Sequence, residues 1–190
     1  MDVQQLSVKL FAAAGAPLDQ EELIPIFHRW IRESRLGDKL LIDVADYRHV
    51  PDGPGVMIVA DHAHYGLDEG IGGGTGFLFS HRRDAIGDAA PKLADALSEL
   101  LTAAEALEGE PSLKGFAFDT SRIQVRVASR RVAANTAEDF AKLAPTVTSA
   151  AQKLYGGEVT VTQGGLPRDP LTLEVSGPAG LSLAALRANL

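Results

Sequence analysis

The chain has no cysteine among its 190 residues, so disulfides, thiolate metal sites and a cysteine nucleophile are all excluded. Positive charge is also short. Eighteen Lys and Arg stand against 25 Asp and Glu, a formal charge of -7 that repels phosphate backbones and anionic lipid alike. Neither nucleic acid nor a membrane is therefore an expected partner. No apolar run approaches the ~18 residues of a spanning helix. The apolar stretch from Leu10 to Leu18 is interrupted by Gly15 and Pro17, follows Asp2, and has only Lys9 as a basic residue before it, which makes a poor secretion leader. A cytoplasmic location is the expectation. Complete catalytic signatures are missing as well. There is no G-x-S-x-G elbow, and the glycine-rich stretch Gly70 to Gly76 lacks a Gly-Lys-Ser/Thr ending and precedes a strand pattern rather than a helix. That stretch is neither a P-loop nor a dinucleotide fingerprint, and we read it as a hairpin loop that can cover the nearby histidines.

At 45% hydrophobic and 23% charged, the chain has the composition of one soluble domain over residues 1–190. Such a domain removes roughly 70% of its unfolded surface on folding. Leu6, Val8 and Leu10 alternate with Ser7, Lys9 and Phe11, the period of a strand. Asp19, with Glu22 three residues on, caps a helix whose stripe is Leu23, Ile26, Phe27, Trp30 and Ile31 and which Gly37 closes. Leu40 to Val44, Gly55 to Ala60 and Gly76 to Ser80 predict neighbouring strands, with Gly53 the residue suited to positive φ in the first connection. A second helix is expected from Asp88 to Leu107, and a hairpin over Phe116 to Val127. The third helix opens at an Asn135 cap with Glu138 as its capping-box partner, and it buries Phe140, Leu143, Val147, Ala151 and Leu154 before Gly156. Val159 and Val161, then Leu171, Leu173 and Val175, mark two final strands, and Leu181 to Leu190 a terminal helix. Runs of adjacent strands between helices give an α+β class. The expected architecture is a mixed or mostly antiparallel sheet carrying three main helices, its element order suggesting two similar halves.

Leu41-Ile42-Asp43-Val44-Ala45-Asp46-Tyr47, continuing through His49-Val50-Pro51-Asp52-Gly53-Pro54-Gly55, and then Tyr65-Gly66-Leu67-Asp68, resemble a family of bacterial proteins of undefined activity. Arg131 to Phe140 looks like that family's second shared segment. The resemblance covers about two-thirds of the chain. It implies a single bacterial domain and carries no reaction, cofactor or catalytic residue.

Four of the five histidines fall between positions 49 and 81, among acids and glycines. If the strand ending at Ala60 continues, His62 and His64 point to one face about 7 Å apart at Cα, a spacing that suits two ligands of one divalent metal. Asp61 or Asp68 would add a carboxylate, and His49 or His81 would complete the sphere. The plainer reading makes His62 and His64 polar residues on a solvated strand end. Asp43 and Asp46 bracket a strand end and are the candidate acid-base pair, against the alternative that Asp43 points outward and Asp46 caps a turn. Arg130 and Arg131 precede the third helix and, with its amides, suggest an anion site; solvated arginines are the alternative. His49 and Asp68 are further ligand-binding candidates. Two functions follow: a domain binding a small-molecule or anionic ligand or a metal, with hydrolytic or acid-base activity, or a non-catalytic interaction module. Convergence of His62, His64 and a carboxylate would favour the first; dispersed histidines beside an exposed apolar patch would favour the second. Further copies of the chain are a partner class that the composition leaves open.

Overall fold

The computed structural model describes residues 1–16, 18–50, 53–68, 74–83 and 86–190. In chain order the elements are β1 (Asp2–Gln4), β2 (Leu6–Ala12), α1 (Gln20–Arg32), β3 (Leu41–Asp46), β4 (Val56–Ala60), β5 (Ala63–Asp68) and β6 (Gly76–His81). They continue as β7 (Ile86–Asp88), α2 (Ala89–Glu108), β8 (Phe118–Val127), α3 (Ala137–Tyr155), β9 (Thr160–Gly164), β10 (Leu171–Ser176) and α4 (Leu183–Ala188). Eight strands make one antiparallel sheet in the order β3-β4-β5-β6-β2-β8-β10-β9, and β1 pairs with β7 apart from it. This is the α+β class that the pattern of strands and helices called for.

Central β2 and β8 lie side by side, and each opens a half of the sheet. After each comes a helix and then a meander that returns to pair beside it: β3 to β6 after α1, and β9 with β10 after α3. The halves share a connectivity but not a strand count, β3 to β6 in one and β9 with β10 in the other.

Alternation divides the sheet into two faces. Leu6, Val8 and Leu10 lie in register with Phe77 and Phe79 of β6 and with Ile123, Val125 and Val127 of β8, all buried beneath the helices. Phe27 of α1 meets Phe77 at 6.3 Å between ring centroids, and Leu93, Leu97, Leu100 and Leu101 of α2 seal the centre. At roughly 25 cal/mol per Å² of apolar surface, this face is the main stabilising term. The opposite face carries Lys9, Gln124, Arg126, Asp68 and His64, and among the described residues no helix packs on it.

The structure departs from expectation at several points. Phe116 to Val127 is not a hairpin but the approach to one bulged strand: Leu10 pairs with Ile123 while Phe11 pairs with Asp119, so residues 120–122 bulge out. Helix α3 is capped by Thr136, whose Oγ accepts from the Asp139 amide; Asn135 donates instead to the carbonyls of Gly164 and Leu166. In the β3–β4 connection the positive φ of 64° falls on Gly55 rather than Gly53, and Pro51 and Asp52 lie outside the described residues. Helix α1 ends at Arg32, before Gly37. The strand through Ala60 stops there, turns at Asp61 and His62, and returns as β5. Residues 69–73 of the glycine-rich stretch lie outside the described residues, yet its described flank Gly74 follows the Asp68 end of the β5–β6 pair. His81, opposite Ala63, is roughly 17 Å along the strands from the Asp68–Gly76 pair, and most of the expected covering loop itself lies outside the described residues.

Candidate functional site

The turn at Asp61–His62 decides where the histidines go. His62 faces the helices, its ring 6.3 Å from Tyr65 and 6.4 Å from Phe79. His64 alternates with the inward Ala63 and Tyr65, pairs with Val59 and Ser80, and so lies on the helix-free face, its Nδ1 buried without a partner among the described residues. The two imidazoles thus point to opposite sides of the sheet. Asp61 is exposed, and its carbonyl accepts from Arg82. Among the described residues no three His, Cys, Asp or Glu side chains lie close enough to hold a metal ion, and the set built on His62, His64 and Asp61 is not assembled.

Asp43 and Asp46 are not brought together either. Three residues apart on a strand, they take opposite faces. Asp43 is exposed and accepts from the Val44 amide; Asp46 accepts from the Arg48 amide and guanidinium, which hold its carboxyl down at about 2. His49 stacks on Tyr47 at 6.3 Å in the open. Arg130 and Arg131 are exposed, and the first turn of α3 carries its own acids, Glu138 and Asp139. Asp139 accepts from the Ala134 amide, so that helix start is already served by carboxylate.

A polar cluster does form where α2 crosses the His62 end of the sheet. Tyr65, fully buried, donates its hydroxyl to Glu99 Oε2 at 2.7 Å, and His62 Nε2 lies 3.4 Å from the same hydroxyl. Lys39, from the loop after α1, pairs with Glu99 Oε1 at 2.6 Å. One helical turn before Glu99, Asp95 bonds His81 Nε2 at 3.0 Å, while His81 Nδ1 meets the Leu6 carbonyl at 3.1 Å. Burial, then the bond to Glu99, raises the Tyr65 phenol well above its ordinary value, so it stays protonated. Burial, with Lys39 adding to it, holds His62 below the ordinary imidazole value and keeps it neutral at pH 7. Because the hydroxyl has one proton and spends it on Glu99, Nε2 of His62 meets that oxygen as an N–H donor, and Nδ1 keeps the free lone pair. Of the expected residues His62 and His81 belong to this cluster; Lys39, Tyr65, Asp95 and Glu99 were not singled out. The signal for the acids was their spacing, four apart on one helix face.

A second cluster occupies the helix-free face. Lys9, 0% exposed, donates to Asp68 Oδ2 at 2.9 Å, and Arg126 donates to the same oxygen at 2.7 Å. Arg126 also bonds Gln124, which bonds Glu174 at 2.5 Å, so the network crosses from β5 to β10. Gly76 makes the crossing of β6 feasible: a Cβ there would stand 2.8 Å from Lys9 Cε and 2.5 Å from the Leu10 carbonyl. Burial alone opposes an ionised Asp68, but Arg126 and Lys9 outweigh it and hold the carboxyl below its ordinary range. Of this network only Asp68 was an expected site residue.

Compared with family models, with curated proteins and with solved structures, the chain matches none.

Proposed function

We propose that the chain is a small-molecule-binding domain that carries out acid-base chemistry, hydrolysis foremost, at the cluster of Lys39, His62, Tyr65 and Glu99. The observation that carries this reading is the Tyr65 hydroxyl set between His62 and Glu99. It fixes a half-buried, neutral imidazole in one tautomer, with Nδ1 available to take a proton from water. Lys39, bonded to Glu99 and partly exposed, supplies positive charge beside that base, where an oxyanion develops as water adds to a carbonyl. Asp95 and His81 extend the polar strip along α2.

Thermal-shift screening of a small-molecule collection tests the reading, with hits mapped by amide shifts. Compounds that bind here stabilise the wild type by mass action and perturb His62, Lys39 and Glu99. Hits that map elsewhere, or that stabilise His62→Ala equally, count against it.

A second reading has its own observation. β3 ends the sheet order, and Leu40 (64% exposed), Ile42 (52%), Tyr47 and Val50 stand open on or beside it. An edge strand with apolar neighbours suits pairing with a second copy of the chain, although the bulge at Ile42 and the acids Asp43 and Asp46 resist it. A concentration-dependent dimer by sedimentation, lost in Ile42→Lys, would favour this reading; a monomer throughout would remove it.

A further inference from the structure

At the end of the β2–β6 pair remote from His62 lies a cleft of about 310 Å³, its walls including Phe11, Ala13, Ala16, Leu18, Thr75 and Arg122. The bulge in β8 creates it. Residues 120–122 leave the β2 ladder, and Arg122 keeps its pairing with Ser176 of β10 while its guanidinium swings over Phe11, 4.5 Å from the ring centroid. Stacking on an aromatic face fixes the planar fork and leaves its N–H edge free for an anion. Arg122 forms no ion pair with any described residue. The nearest acid in sequence, Asp119, is engaged by the amide and hydroxyl of Ser121. Lys9, paired with Asp68, lies with its Nζ 5.1 Å from the same ring centroid, that Nζ also donating to the Gly74 carbonyl at the cleft's wall. A side chain at Gly74, where φ is 139°, would both strain the backbone and reach toward Phe11, so glycine keeps the cleft open.

We infer that this cleft binds a small organic anion, its carboxylate or phosphate on the Arg122 guanidinium and its apolar part against Ala13, Ala16 and Leu18. Lys9 joins the buried Lys9–Asp68–Arg126 network to the cleft wall through the Gly74 carbonyl. The site is separate from the His62 cluster, so either assignment can fail without the other.

Benzoate and phenyl phosphate are the probes, with benzyl alcohol and benzylamine as neutral and cationic counterparts, each titrated into the full chain while amide shifts are followed. At least one of the two anions binds saturably, perturbs Ala13, Gly15 and Thr75, and binds more tightly than the alcohol or the amine; which one is tighter distinguishes carboxylate from phosphate. Arg122→Gln weakens that anion by at least about tenfold, the worth of one charge-assisted hydrogen bond, with melting unchanged. Arg168→Gln, an exposed cation elsewhere, leaves binding as it was. The inference is overturned if neither anion saturates at millimolar concentration, if Arg122→Gln binds equally well, if other amides respond, or if benzyl alcohol binds as tightly as the anions.

Discussion

Tyr65 donates its hydroxyl to Glu99 at 2.7 Å, joining β5 to the helix that covers the sheet through a polar bond. Glu99 also takes Lys39. A buried hydroxyl is tolerated only when bonded, so this pair ties the register of α2 to β5 as well as orienting His62.

Tyr65→Phe removes the shared hydroxyl and keeps the ring. Urea unfolding should show a loss of about 1–2 kcal/mol, because Glu99 keeps Lys39 but loses one donor. A stability within experimental error of wild type would mean that the bond adds nothing to the fold.

Asp68→Asn takes charge from the one oxygen that Lys9 and Arg126 share, and should cost about 3 kcal/mol. Asp43→Asn, exposed on β3, should change stability by less than about 0.5 kcal/mol. Equal costs for the two would show that the network on the helix-free face is dispensable.

Much of the fold was legible in the sequence. Helical stripes such as Leu93, Leu97 and Leu100 announce themselves by period, and turn residues bound the strands. The Lys9 network was not legible, because alternation marks Lys9, Gln124 and Arg126 as an outer face. They are nonetheless buried, joined to Asp68 and Glu174 across β2 and β8 in the middle of the eight-stranded sheet, and strand order is a property of long-range pairing. His62 and His64 misled for a related reason. An HxH pair faces one way on a continuous strand, but here the hairpin turn falls between Ala60 and Ala63 and separates them.

Leu97→Ala should cost about 2–5 kcal/mol, since Leu97 is buried in the α2 stripe and truncation leaves a cavity. Phe140→Ala should cost less. Although it lies on the expected stripe of α3, Phe140 is only half-buried. Thermal or urea unfolding of both variants checks the ranking.

His62 and His64 are both held below the ordinary imidazole value, each chiefly by burial. Below about pH 6.5 the unfolded chain therefore binds more protons than the folded one, and stability falls as the medium is acidified through the folded-state values. Asp68, also depressed, adds a loss of the same sign at lower pH, through the carboxylate range. The double variant His62→Gln/His64→Gln should flatten the upper part of the profile and leave the lower part. A profile unchanged by the double variant would contradict the burial argument.

The most direct measurement of the acid-base reading is the pH–rate profile for hydrolysis of p-nitrophenyl acetate. In the expected step water's oxygen bonds to the acyl carbon, His62 Nδ1 takes its proton, and p-nitrophenolate leaves as the ester C–O bond breaks. The rate should be level at neutral pH, fall below an inflection under the ordinary imidazole value of about 6.5, and be lost in His62→Ala while that variant remains folded. A rate equal to the free-imidazole background, or one that His62→Ala leaves intact, would contradict it.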